Sequence, residues 1–130
     1  MTTIVKGWPP NIEAIRKVLP VTKRNIFSWD GIIYNPGGGE LPLQLIAHEE
    51  VHFAQQAGNP KSWWKKFLNS PEFRLQQELP AHRTEYQVFC KHHNDRNERA
   101  VYLRSLGRRL SHPMYGKIIS TAAAMKEIKR

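Results

Sequence analysis

Cysteine is almost absent from this chain. Cys90 stands alone among 130 residues, so no internal disulfide can form and no Cys-x-x-Cys zinc ribbon exists. Long apolar runs are missing too. Nothing approaches the ~18 consecutive apolar residues of a membrane span. Met1 to Pro10 has no apolar h-region, so no signal peptide is expected. The glycine-rich Pro36-Gly37-Gly38-Gly39 lacks the Gly-Lys-Ser/Thr ending of a phosphate-binding loop and reads as a flexible connector bordering a cleft. There is no internal repeat and no low-complexity segment. Acidic residues are scarce: 11 Asp+Glu against 20 Lys+Arg, net +9. Such a balance suits an anionic partner. The cations are dispersed and no nucleic-acid motif accompanies them, so nucleic acid ranks last among the partners considered.

What remains is ordinary for a water-exposed globular chain: 40% hydrophobic and 24% charged. The length suits a single domain, 1–130, with one modest core. Asn11 to Leu19 reads as a short amphipathic helix. Asn25–Trp29 and Ile32–Tyr34 read as strands joined by Asp30-Gly31, a strong hairpin signal. A helix is expected from Pro42 to Gly58. A short aromatic helix follows over Ser62–Leu68, then a long one opened by Ser70-Pro71-Glu72 and running to His93. Pro80 inside it predicts a kink or break. Asp95–Gly107 reads as a further helix, and a last one opens at Ser111-His112-Pro113 and runs to Ile128. The fold class is therefore α+β, mainly α, with a β-hairpin packed beside the helices.

The chemistry sits in His48-Glu49-Glu50-Val51-His52, an H-E-x-x-H stretch inside the Pro42–Gly58 helix. Residues i and i+4 share one helix face, so both imidazoles can reach one metal ion. Glu49 lies where its carboxylate can act as a base toward a coordinated water. Composition alone gives on the order of 0.02 such matches in a chain with this much His and Glu. Ala47, Val51 and Ala54 recur at helical spacing and predict an apolar, core-facing stripe.

Two histidines hold zinc poorly, and a catalytic zinc takes three protein ligands plus water. Candidates for the third are Glu78, His82, Glu85, His92, His93 and His112. Glu78, His82 and Glu85 fall at i, i+4 and i+7, on one face of the long helix. Glu78 is favoured as a hard anionic ligand. Glu85 is the alternative, or a partner that orients a ligand, as is His82. With two neutral His and one Glu, Zn²⁺ keeps a net charge near +1, which lowers the pKa of its water toward ~7. His82, Tyr86, Tyr102 and His112 are all open as stabilisers of the oxyanion.

In these residues the chain resembles a zincin metallopeptidase of the gluzincin type. His48 and His52 match the ligands, Glu49 the general base, and Glu78 in Glu78-Leu79-Pro80-Ala81-His82 the element that carries the third ligand. His82 stands where many gluzincins have Asp. More narrowly, His48 to Gln56, Trp63-Trp64, Ser70 to Tyr86 and Leu110 to Ile119 are similar to small proteins of bacteriophages and prophages. The resemblance implies a minimal zincin-like core, a Zn²⁺ cofactor, and hydrolysis of a peptide or protein substrate. The alternative is a non-catalytic phage structural or assembly protein that retains the zinc site, with virion or assembly proteins as partners. It also implies a cytoplasmic (host-cell) or virion-associated location.

Overall fold

A computed structural model describes residues 2–130. Ten elements follow one another: β1 (Thr3–Val5), α1 (Ile12–Arg16), β2 (Phe27–Trp29), β3 (Ile32–Tyr34), α2 (Leu43–Gln56), α3 (Pro60–Asn69), α4 (Pro71–His92), α5 (Arg96–Leu110), a 3₁₀ turn (Pro113–Tyr115) and α6 (Thr121–Lys129). The fold is α+β and mainly α, as the sequence predicts. Among the described residues no helix is long and apolar enough to cross a membrane.

The hairpin forms where Asp30-Gly31 predicts it. Both residues have positive φ, 49° and 80°, the combination a type I′ turn requires. β2 and β3 pair antiparallel, with Phe27 opposite Tyr34. A third strand is unexpected. β1 adds parallel to β3, giving the order β1-β3-β2. Its three residues are all exposed, so no buried alternation marks it in the sequence.

Helix ends follow local chemistry. The Ser70 hydroxyl accepts from Phe73 N–H and Pro71 occupies the first turn of α4. Asp95 caps α5 through Asn97 and Glu98. α4 runs through Pro80 without a break. The ring removes one N–H bond, to Gln76, while the turns on either side keep theirs. α1 is shorter than expected, and the last helix is split. Pro113–Tyr115 forms only a 3₁₀ turn that ends at Gly116, and α6 starts afresh with Ser120 as its cap.

Two apolar cores form. One gathers Leu75 from α4, Leu103, Leu106 and Leu110 from α5, and Ala124 and Ile128 from α6. The other gathers Ile15, Phe27, Trp63, Trp64 and Phe67. Both tryptophans of the Trp63-Trp64 pair are buried. Glycine lets α5 and α6 cross closely: a Cβ on Gly107 would lie 2.6 Å from Met125 Cγ and 3.0 Å from the Thr121 carbonyl oxygen.

The expected apolar stripe of α2 is not its buried face. Val51 is only half-buried and Ala54 is exposed, whereas His48, Glu49, His52 and Gln56 are buried. The polar side is turned inward because α4 meets it with a polar side of its own: Glu78, His82 and Glu85. Gln56 ties the far end of α2 to the sheet, donating to the Ser28 carbonyl at 2.9 Å and accepting from Asp30 N–H at 3.1 Å.

Gly107→Ala should lower stability by about 1–3 kcal/mol through overpacking, against the ~1 kcal/mol gain that helix propensity alone would give. Urea denaturation measures it. A variant as stable as the parent would contradict the close crossing.

Candidate metal centre

Burying three carboxylates and three imidazoles between two helices costs several kcal/mol per unpaired charge. The pairing among them is therefore the first thing to trace. His48 and His52 lie one turn apart on α2, with ring centroids 4.9 Å apart. Glu78 faces both from α4: one carboxylate oxygen is 2.5 Å from His52 Nε2, the other 3.4 Å from His48 Nε2. The two Nε2 atoms are 3.2 Å apart.

The opposite ring nitrogens are held by acceptors. His48 Nδ1 lies 2.8 Å from Glu85 Oε1. His82 Nδ1 reaches the same oxygen at 3.0 Å, and the Tyr102 hydroxyl donates to Glu85 Oε2. His52 Nδ1 lies 2.7 Å from Gln55 Oε1. The Gln55 amide is oriented in turn because its NH₂ donates to the Gln77 carbonyl at 2.9 Å. The Gln77 side-chain oxygen accepts from Trp63 Nε1 at 2.9 Å.

These partners assign the tautomers. Glu85 and Gln55 offer oxygens, so both Nδ1 atoms carry the hydrogen. Both Nε2 lone pairs then point at each other and at the Glu78 carboxylate. Three electron-rich atoms at such separations require a cation among them: protons on the rings, or a metal ion. Two donors bonded to one small ion at about 2.1 Å and the tetrahedral angle stand about 3.4 Å apart. The observed 3.2 and 3.4 Å match that edge, whereas the 2.5 Å from His52 Nε2 to the other Glu78 oxygen is the length of a hydrogen bond, with a proton between them. His48, His52 and Glu78 thus form a buried set of three donors that could hold a metal ion, and His48, His82 and Glu85 form a second, overlapping set. In the second set the distances are those of imidazole N–H groups donating to a carboxylate, which makes Glu85 the orienting partner.

The electrostatics separate the carboxylates. For Glu85, burial works against the charge, yet the hydrogen bonds from His48 and His82 hold its pKa at about 2. For Glu78 burial is likewise outweighed by His52 and His48, which keep it well below the usual carboxylate range. Glu49 goes the other way. Burial dominates, and its pKa is raised despite His48 and His52. Its carboxylate accepts no hydrogen bond among the described residues, and its nearest cationic neighbour is His48 Nε2 at 3.6 Å. In the metal-free chain burial opposes the charge on His48 and His52, but Glu78 above all reverses this and raises both. Burial lowers His82.

A cavity of about 610 Å³ opens over the cluster. Glu49, His52 and Glu78 form part of its wall, and Leu19, Val21, Phe27, Trp64 and Phe67 make an apolar region. Arg109, His112, Met114 and Tyr115 complete it from α5 and the 3₁₀ turn. The Pro36–Gly39 loop does not line it, contrary to expectation. It is held beside the hairpin, where Asn35 donates to the Gly39 carbonyl at 2.7 Å.

The remaining candidates lie elsewhere. His92 is exposed, and His93 stacks on Phe89 with centroids 3.9 Å apart. Of the four candidates for the oxyanion, Tyr102 is engaged with Glu85, and Tyr86 packs against the α4–α5–α6 core, away from the cavity, its pKa raised by burial and a bond toward Cys90. His112 accepts from Met114 N–H and reaches the cavity, as does His82. Arg109 and Tyr115 are among the cavity residues that were not foreseen. Nothing in their local sequence marks them, since the α5-to-α6 connection alone brings them over α4.

No family model matches the chain, and no curated protein or solved structure is significantly similar to it.

The raised imidazoles generate a pH dependence. Below their raised pKa values His48 and His52 carry protons that a metal must displace, while Glu78 stays ionised throughout. Affinity for Zn²⁺ as probe should therefore rise with pH across the neutral range, with proton release on binding. Calorimetry in buffers of different ionisation enthalpy measures both. Affinity that is flat in pH, without proton release, would contradict the assignment.

Proposed function

We propose that the chain is a zinc-dependent hydrolase that cleaves a peptide or amide bond, with Glu49 as its general base. The observation that carries this reading is the division of labour among three buried carboxylates. Glu78 faces the two imidazole lone pairs, Glu85 orients two imidazoles, and Glu49 stands beside them with no hydrogen-bond donor of its own. The resemblance of His48, Glu49, His52 and Glu78 to the gluzincin pattern supports the same roles. The resemblance read from the sequence to small phage and prophage proteins adds a phage setting to the proposal.

His48, His52 and Glu78 would hold the ion. When bound, Zn²⁺ supplies a Lewis acid and a water acidic enough to ionise near neutral pH. The other tasks belong to the chain. Glu85 and Gln55 keep the two rings in the required tautomer. Glu49, whose burial raises its proton affinity, takes a proton at its carboxylate and returns it to the leaving nitrogen. Tyr115 stays protonated because burial first, and Glu78 second, raise its pKa. Its O–H makes no hydrogen bond among the described residues, and it lines the cavity, so it can donate to developing negative charge on the substrate oxygen.

Glu49→Gln should retain zinc and lose about 10²- to 10⁴-fold in hydrolysis of a fluorogenic peptide library. Metal content and rate are measured on the same preparation. Equal rates in parent and variant would sink the role of Glu49. A zinc-loaded parent inert on peptide and cell-wall substrates would favour a non-catalytic phage assembly module instead.

A further inference from the structure

The cavity over the cluster is not uniform. Away from α2 and α4 it is apolar, with Ile15, Leu19, Val21, Phe27 and Phe67 in its wall. On the α5 side it carries Arg109, an exposed cation that makes no ion pair or side-chain hydrogen bond among the described residues. Its guanidinium is near enough to Tyr102 and Tyr115 to oppose the rise that burial causes in both. Those tyrosines adjoin Glu85 and Glu78, so Arg109 stands at the edge of the donor cluster. Arg24 supplies a second cation to the lining.

No acidic residue answers them. The only carboxylates in the wall are Glu49, Glu78 and Glu85, which are committed to the cluster. The imbalance extends over the surface. Removing those three buried acids and the buried Arg74 leaves 19 Lys+Arg facing solvent with 8 Asp+Glu. A negatively charged group is thus attracted to the chain as a whole and finds an unpaired guanidinium at the cavity.

We infer that the cavity selects a peptide segment that pairs a large apolar side chain with a neighbouring carboxylate, the apolar group lying against the wall that Leu19, Val21, Phe27 and Phe67 line and the carboxylate anchored on Arg109. This rests on the hydrolase reading for its consequence in catalysis, but the binding step stands apart from it. Arg109 is a specificity residue. It touches the substrate's anionic group and takes no part in bond breaking. A planar guanidinium matches a carboxylate in two parallel hydrogen bonds, which a lysine cannot reproduce.

The test uses the full chain and two isosteric probes, N-acetyl-Ala-Phe-Glu-amide and N-acetyl-Ala-Phe-Gln-amide. Trp63 and Trp64 line the cavity, so intrinsic tryptophan fluorescence reports binding, with or without added zinc. The glutamate probe should bind about three- to tenfold more tightly than the glutamine probe. That ratio should shrink with added salt, collapse to near one in Arg109→Gln, and recover only partly in Arg109→Lys. A third probe with Ala in place of Phe should lose most of the affinity. Equal affinity for the first two probes, or a ratio untouched by Arg109→Gln, overturns the anchor. Cleavage is followed separately. Charge-selective binding without hydrolysis would uphold the anchor and count against the hydrolase. Hydrolysis with the same KM for both probes would uphold the hydrolase and remove the anchor.

Discussion

Glu85 is the constraint on which the site depends. One buried carboxylate accepts from His48, His82 and Tyr102 together. That triple engagement keeps it ionised despite its burial and fixes the ring orientation of His48. Gln55 does the same for His52 without a charge, and is itself locked through Gln77 to Trp63. With both outer nitrogens committed as donors, a neutral ring presents a lone pair on its inner nitrogen toward Glu78, and a charged ring presents a proton there. The demand for a positive charge at that point follows from hydrogen bonds several ångströms away.

The two apolar cores make this arrangement affordable. They lie on either side of the polar seam, and neither would be complete without α4, which contributes Leu75 to one and whose Phe73 packs against the other. The cores fix α4 among its neighbours, whereas α2 contributes no residue to either and is joined to α4 through the seam itself and Gln55, and to β2 through Gln56. The balance matters because buried ion pairs repay their desolvation only when every lone pair and proton is matched. Here Glu49 is the carboxylate left without a donor, and it lines the cavity together with Glu78 and Glu85. Burial raises its pKa, so it takes up a proton more readily than Glu78 or Glu85.

Much of the skeleton was legible in the residues. Asp30-Gly31 between β-branched runs, Ser70-Pro71 before a helical stretch and Asp95 before another each act locally, within a turn of where they stand. The i, i+4 pair of His48 and His52 and the i, i+4, i+7 set of Glu78, His82 and Glu85 were visible for the same reason. What stayed hidden was long-range. Ala47, Val51 and Ala54 have the spacing of a core stripe, yet the buried side of α2 was decided by the polar face of α4 opposite. β1 is three exposed residues whose strand character comes only from its pairing with β3. Arg109 and Tyr115 reach the cavity because α5 and the 3₁₀ turn fold back over α4, a consequence of tertiary packing that no local spacing reveals.

The central claim is that the two inner imidazole nitrogens and Glu78 share one divalent ion. Metal analysis of the purified chain beside Glu78→Ala, with an X-ray absorption spectrum of the bound metal, tests it most directly. The account predicts about one zinc per chain with two nitrogen donors and a carboxylate oxygen near 2.0–2.2 Å, and loss of that stoichiometry when Glu78 is removed. A parent that binds no metal when zinc is supplied at neutral pH, or a spectrum without imidazole nitrogen, would contradict it.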